Sequence, residues 1–541
     1  MSVPYDPSVV DAFLEHHWTY RPVDATFMGD LAHDMLLPPA TSQTLKTELA
    51  SLAALEKRVG AMEEPDDVGD RLDYKTIRAE LVHQRMAAEK RARVHNPAWY
   101  SGEAAFSIIS LLLPQSLPVR DDALLARLNG IADFLSAGLD RLGSRPTPSG
   151  WVSRAKREAT AMGGFLRTDL RLHEAYVEDW DDPAEAAAAA LDAFAAAIDA
   201  LPDADPAAGE DYLQILIRDV HGLTSTPADL IEVAQAAYDR MGRELEEMAK
   251  VLDPERSWQD QLADLPAIHP ETVDDAFESY LEWDVRALVG AQDLMSPTPA
   301  QSYDLDYRWM SPCFARISQS LYFLFYRSPP ALNPGAGSVY WVSPPGDDDE
   351  AFLRANSTAT VKTIHSVHHG SVGHHSQNAR ARIASSRLAR LAGTDCALGL
   401  AFLGSGTLIE GWACYVEDLL MEVRGFYTPT EIMLLKQYER RNAASVLVDV
   451  KLHTGQWSMD EAMAFYREAG FAPSRVEGEV VRNSMLPGSR LMYFLGVEGI
   501  NAMRKRWKGA AADFHDTLLS YGHVPLAWIG QEMEREGLLD S

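Results

Sequence analysis

"TPADLIEVAQAAYDRMGRELEEMAKVL" (residues 226–252) is the stretch whose pattern decides the fold class. Its apolar residues return every three to four positions, which puts them on one face of a helix. Thr226 stands where a capping hydroxyl is needed, and Pro227 fits the first helical position. Outward from it the type repeats. "PAEAAAAALDAFAAAIDAL" (183–201) is alanine-rich, with Leu, Phe and Ile at helical spacing, and Pro202 stops it. "DDALLARLNGIADFLSAGLDRL" (121–142) and "DEAMAFYREAGF" (460–471) read the same way. The breaks at "GSRPTPSG" (143–150), "PDADPAAGED" (202–211) and "SPPGDDDE" (343–350) are too short to be disordered linkers. We expect a mostly α protein, one large helical domain over 1–541, with a possible division into 1–210 and 211–541. No solenoid period or sustained heptad is present.

Composition narrows the function classes. The hydrophobic fraction of 46% is that of a globular protein able to bury a large core. Against 49 basic side chains stand 79 acidic ones, a formal charge of −30. Such a surface repels phosphate backbones and anionic lipid, so neither nucleic acid nor a membrane is an expected partner. Cys313, Cys396 and Cys414 are too scattered for a disulfide framework or a cysteine zinc site. A reducing compartment fits them. The segment "MSVPYDPSVVDAFLEHHWTY" (1–20) interrupts any apolar run with charge, and no stretch reaches membrane-spanning length. The expected location is the cytoplasm.

One short segment departs from the helical pattern. "GSVYWV" (337–342) is β-branched and aromatic between turn-rich flanks, and it predicts a strand. Tyr340 on it is a candidate substrate contact. Some twenty-five residues later comes "IHSVHHGSVGHHSQ" (364–377), which gathers five of the chain's sixteen histidines. Metal binding needs neutral imidazoles and a carboxylate converging on one point. On an unbroken helix His365 and His369 share a face, as do His368 and His375. Gly370 and Gly373 make that helix doubtful, so spacing leaves the ligands open. Downstream, "TLIEGWACYVEDLLMEV" (407–423) predicts an amphipathic helix with Glu410 and Glu417 seven apart on one face. No nucleophile elbow accompanies "GSG" (404–406), and no phosphate loop follows "GAGSVYW".

The pair "HHGSVGHHSQ" and "EGWACYVEDL" resembles the signature of the bacterial family called domain of unknown function 885. That signature reads His-Glu-x-x-Pro-Gly-His-His, then Glu-Gly-Trp-Ala-x-Tyr-x-Glu. "VDVKLHTGQWSMDEAMAF" (448–465), "EVVR…PGSRLMYFLG" (479–496), "FHDTLLSYGHVPL" (514–526) and "NPAWYSGEAAF" (96–106) extend the likeness. The family is similar to zinc carboxypeptidases of the carboxypeptidase Taq type and to gluzincins. The resemblance implies a helical fold around a deep cleft, with helices 361–377 and 407–423 at its floor and the strand along one wall. It implies zinc held by His368, His374 and Glu410, with His375 able to replace His374 or otherwise to contact the substrate. It makes Tyr493 a donor to a developing oxyanion. Asp449, His453, Glu479 and Arg482 become supporting or substrate contacts, and the substrate a peptide or small molecule.

Departures weigh equally. His369 stands where the family has the glutamate that takes a proton from water, Val372 where it has proline, and Asn483 where it has tyrosine. A neutral His369 can serve as that base, since its ordinary pKa of about 6.5 suits the task. Alternatively His369 binds the metal itself, making the site histidine-rich. The expectation is therefore a metal-dependent, carboxypeptidase-like peptidase with histidine at the base position, or a catalytically degenerate relative that binds a peptide or small ligand, with or without metal, and does not hydrolyse it.

Overall fold

A computed structural model describes residues 3–90, 95–113, 119–296, 304–321, 326–333, 337–391 and 402–540. Cys396 lies outside them. The chain is helical nearly throughout, because most segments carry an apolar stripe that can be buried only against another helix. Helix Pro227–Leu252 is the stretch singled out above. Thr226 and Asp229 close a reciprocal capping box at its start, and Leu230, Ala234, Ala237, Tyr238, Met241, Leu245 and Ala249 form its buried face. That face packs on helix Pro429–His453, itself opened by a Thr428–Glu431 capping box. Each cap contributes about 1 kcal/mol.

Toward the N-terminus, Pro97–Leu112, Asp121–Leu142, Ser149–Arg167 and Asp181–Ile198 pack on one another. Trp99, Tyr100, Phe134, Trp151, Phe165 and Phe194 fill the space between them. Val481 and Met485 reach into this same core, and Trp151 Nε1 donates to Ser484 Oγ at 2.8 Å. Those contacts tie the N-terminal helices to the C-terminal third.

Among the described residues one three-stranded sheet is present, with β1 Leu305–Trp309, β2 Tyr326–Arg327 and β3 Ser338–Val342. β3 is the strand expected at 337–342. It lies in the middle, parallel to β1 and antiparallel to β2, with Tyr340 level with both Tyr307 and Tyr326. The flanking strands escape the sequence reading because "LDYRW" mixes charge into its run and β2 is two residues long.

The helix expected over 361–377 is not one helix. Val361–His368 is a π-helix, the chain turns through 369–373, and a separate α-helix runs His374–Ala381. Steric demand explains the break. A Cβ on Gly373 would lie 1.9 Å from the His368 carbonyl oxygen, and one on Gly370 2.0 Å from that of Ser366. Only glycine permits so tight a reversal. The helix expected over 407–423 runs Gly406–Leu419 and tightens into a 3₁₀ turn at Leu420–Glu422. It crosses helix Leu491–Arg506 where Gly411 and Gly496 meet, a Cβ on Gly411 coming 2.5 Å from Gly496 Cα. That close crossing brings the turns carrying Glu410 and Tyr493 together.

Candidate metal centre

The π-helix ends on His368 and is capped by His369, the next helix begins with His374, and helix Gly406–Leu419 supplies Glu410. Glu410 Oε2 lies 3.7 Å from His368 Nε2 and 3.8 Å from His374 Nε2. One ring nitrogen from each of His368, His369 and His374 lies within 4.8 Å of the others. Donors on a tetrahedral ion with bonds of about 2.0–2.1 Å sit roughly 3.3–3.5 Å apart, and three such imidazoles have ring centres roughly 5 Å apart. The observed ring separations are 4.7, 4.9 and 5.5 Å. The three imidazoles thus cluster at a spacing that suits a cation, and Glu410 stands beside two of them, His368 and His374.

Hydrogen bonds at the far side of each ring decide which nitrogen faces that point. His368 Nδ1 lies 2.6 Å from Glu417 Oε1, His369 Nδ1 2.7 Å from the Ile364 carbonyl, and His374 Nδ1 2.9 Å from Gln377 Oε1. Every partner is an acceptor, so each Nδ1 donates and Nε2 is the nitrogen left to meet an ion. A histidine so held presents one nitrogen in a fixed direction, as metal-binding imidazoles do. The π-helix underlies this, since the His369 amide bonds five residues back to Ile364. A wider turn rotates His369 away from the face it would share with His365 on an α-helix.

The electrostatics are those of a buried cluster whose members act on one another. Burial pulls His368 down, but hydrogen bonds to Cys414, Glu410 and Glu417 carry it well above the ordinary imidazole value. His369 is held well below that value by burial and then by His368 and His374. His374 is brought to about 4, by burial first and then by His368. Burial alone would raise Glu410, yet the His368 hydrogen bond and the charges of His374, His368 and Arg482 hold it below the usual carboxylate range. Burial pushes the Cys414 thiol up to about 12, and with His368 and Glu417 it forms a second group of possible donors behind His368.

Other residues singled out in the sequence take varied places. Tyr493 is half-buried and its phenol is raised by burial and then by the Glu410 charge, which puts it beside the centre. Arg482, half-buried, acts on Glu410 and Tyr493 through its charge. His375 points elsewhere, its Nδ1 3.0 Å from Ser338 Oγ on β3, so His374 is the histidine beside Glu410. Tyr340 is 1 % exposed and its hydroxyl lies 2.5 Å from His365 Nδ1, behind the histidines rather than on an open wall. His365 stacks on Tyr280 and stands apart from the Glu410 group. Asp449 accepts from the Gly488 and Arg490 amides, while Arg490 spans Asn483 and Glu479 and His453 bonds the Asn483 carbonyl. That network fixes the turn from which helix Leu491–Arg506 presents Tyr493.

Glu417, Gln377 and Asp284 were not read as part of the site. Glu417 carried a signal, its spacing of seven from Glu410. Asp284 carried none, being distant in sequence from the loop it touches.

The chain belongs to the family described as bacterial protein of unknown function (DUF885), whose model matches residues 22–533. A Colwellia psychrerythraea protein described as a "putative lipoprotein" shares the fold at a TM-score of 0.78, with 16% identity over 98% of each chain. A Shewanella oneidensis protein, described as a "putative lipoprotein of unknown function", superposes at 0.76, with 17% identity, 97% of this chain and 99% of that one. None of the curated proteins matches the chain. Among the described residues no helix is long and apolar enough to cross a membrane.

Proposed function

We propose that this protein is a mononuclear metal protein of metallopeptidase-like plan, holding one divalent ion through His368, His369, His374 and Glu410. One observation carries the reading: three neighbouring imidazoles each spend Nδ1 on an acceptor, leaving Nε2 as the nitrogen each can offer an ion, with the Glu410 carboxylate beside two of them. Imidazole and carboxylate donors suit zinc first, and iron, copper or nickel as well. A bound ion there supplies Lewis acidity toward a carbonyl oxygen. Tyr493 keeps its proton and is a hydrogen-bond donor for that oxygen. Arg482 offers a cation for an anionic end of the ligand. The ligand class we propose is a peptide or small amide bearing a carboxylate. Likeness of the motif to zinc carboxypeptidases of the Taq type supports the plan.

His369 changes what that plan does. As a fourth protein donor it completes a tetrahedral set, and it removes the carboxylate that would take a proton from water. We therefore expect the ligand to bind with slow turnover or none. A second reading, hydrolysis with His369 as proton acceptor, is favoured by the neutral state in which its surroundings hold the ring. His369→Ala separates the two. A fourth ligand, when lost, weakens zinc binding by more than the roughly 100-fold upper range for an outer-shell partner. A lost base leaves zinc affinity unchanged and lowers cleavage of an unblocked peptide library by roughly 10²- to 10⁴-fold. Less than one equivalent of zinc on the wild-type protein at saturation would sink both.

A further inference from the structure

We infer that Asp284 is a positioning residue for this metal centre, acting through the loop that joins its histidines; the inference rests on the metal reading above. Asp284 lies on helix Val273–Gly290 and is 4 % exposed. Its Oδ1 accepts the Ser371 amide at 2.6 Å and its Oδ2 accepts the Ser371 hydroxyl at 2.7 Å. Ser371 sits in the middle of the bridge between His369 and His374. The grip is two-point, so it fixes both the height and the rotation of the loop.

The rest of that helix acts on the same segment. The Tyr280 carbonyl accepts from Ser366 Oγ at 2.9 Å, and the Tyr280 ring stacks on His365 at 5.2 Å. From the opposite side Trp412 Nε1 donates to the Val372 carbonyl at 3.1 Å. The bridge is thus pinned at two successive residues by two different helices. Gly370 lets the carboxylate come this near, since a Cβ there would lie 2.3 Å from Asp284 Oδ1.

Why a metal centre needs this follows from chain entropy. Two glycines in a five-residue reversal leave many backbone states open, each fixed residue costing about 1–2 kcal/mol. A ligand set must be held to about 0.5 Å to bind its ion well. With Asp284 in place the loop is ordered before the ion arrives. Without it, ordering His369 and His374 is drawn from the binding free energy.

The test uses the full chain as Asp284→Asn and Ser371→Ala, with zinc affinity from chelator competition, the Tm of the metal-free protein, and the visible spectrum of the cobalt-loaded form. We expect at least tenfold weaker zinc binding in Asp284→Asn, an intermediate loss in Ser371→Ala, and an altered cobalt spectrum. Wild-type affinity and spectrum in both variants would overturn the inference, whatever their Tm. Should Asp284→Asn fail to fold, Ser371→Ala decides, because it deletes only one hydroxyl bond. A wild-type protein that binds no zinc refutes the metal reading and this inference with it; wild-type binding unaltered in the variants refutes this inference alone.

Discussion

Replacing Glu417 with glutamine changes one atom and isolates the charge behind His368. The Glu417 carboxylate lies 2.6 Å from His368 Nδ1, and both side chains are largely buried. Charge-assisted hydrogen bonds contribute about 1.5–3 kcal/mol, roughly twice their neutral counterparts. Glutamine keeps an acceptor oxygen for the Nδ1 proton, so the loss is about half, ~0.7–1.5 kcal/mol. That loss makes Nε2 a poorer donor and weakens zinc binding roughly 3- to 12-fold, near the lower end for outer-shell partners. Stability of the metal-free protein should move the other way or not at all. Burial raises Glu417 above the usual carboxylate range, so a neutral amide avoids a cost the carboxylate bears. Glu417→Ala differs, since it strands a buried N–H and costs about 1–3 kcal/mol of stability. Chelator competition gives the affinity, and calorimetry of the metal-free and zinc-saturated forms gives both stabilities. A tenfold loss of affinity also removes about 1.4 kcal/mol of the stabilisation that saturating zinc provides. Zinc affinity in Glu417→Gln within twofold of wild type would refute the claim that this carboxylate tunes the centre.

Further outcomes follow from the same geometry. His369→Glu restores the carboxylate of the family signature, and we expect chelator-sensitive cleavage of unblocked peptides to rise by at least tenfold; no rise would remove His369 as the reason for slow turnover. Gly373→Ala forces a Cβ to within 1.9 Å of the His368 carbonyl, so zinc binding should be abolished while the distant helices keep their circular dichroism. Buried His221 and His515 are both brought down to about 4, chiefly by desolvation. Their unfolded value is about 6.5, so the unfolded chain binds more protons between those limits. Each therefore contributes stability that is intact above pH 6.5 and lost as pH falls toward 4, about 3 kcal/mol apiece. Denaturant titrations from pH 7 to 4 should show that slope, reduced in His221→Gln; a flat profile would contradict it.

What the sequence disclosed of the fold is the part governed by local rules. Helix Pro227–Leu252 announces itself because its cap, its first-turn proline and its apolar stripe all agree. Strand β3 is legible because its β-branched and aromatic residues are bounded by turns. β1 is not, since Asp306 and Arg308 break its run and its place beside β3 depends on a partner more than thirty residues later. The crossing of Gly411 and Gly496 is hidden for the same reason: neither glycine differs locally from any other helical glycine.

The site follows a similar division, with one instructive reversal. Residue types were readable because chemistry demands them, so His368, His374 and Glu410 could be named from a motif, and they do stand together. Their orientation was not readable, because it depends on which acceptor meets each Nδ1, and Glu417, Ile364 and Gln377 are set by packing. His369 turned on this point. In an α-helix it would share a face with His365 and could leave the cluster. The π turn instead aligns it with His368 and His374, while His365 goes to Tyr340. On the proposed reading, a substitution that looks like loss of a base in the sequence is the gain of a metal donor in three dimensions. The two descriptions make opposite demands on the protein. A base must stay off the ion and keep a path to water; a donor must be held rigidly toward the ion. His369 is bonded to the carbonyl of its own π turn and its loop is clamped by Asp284, which serves the second demand and works against the first.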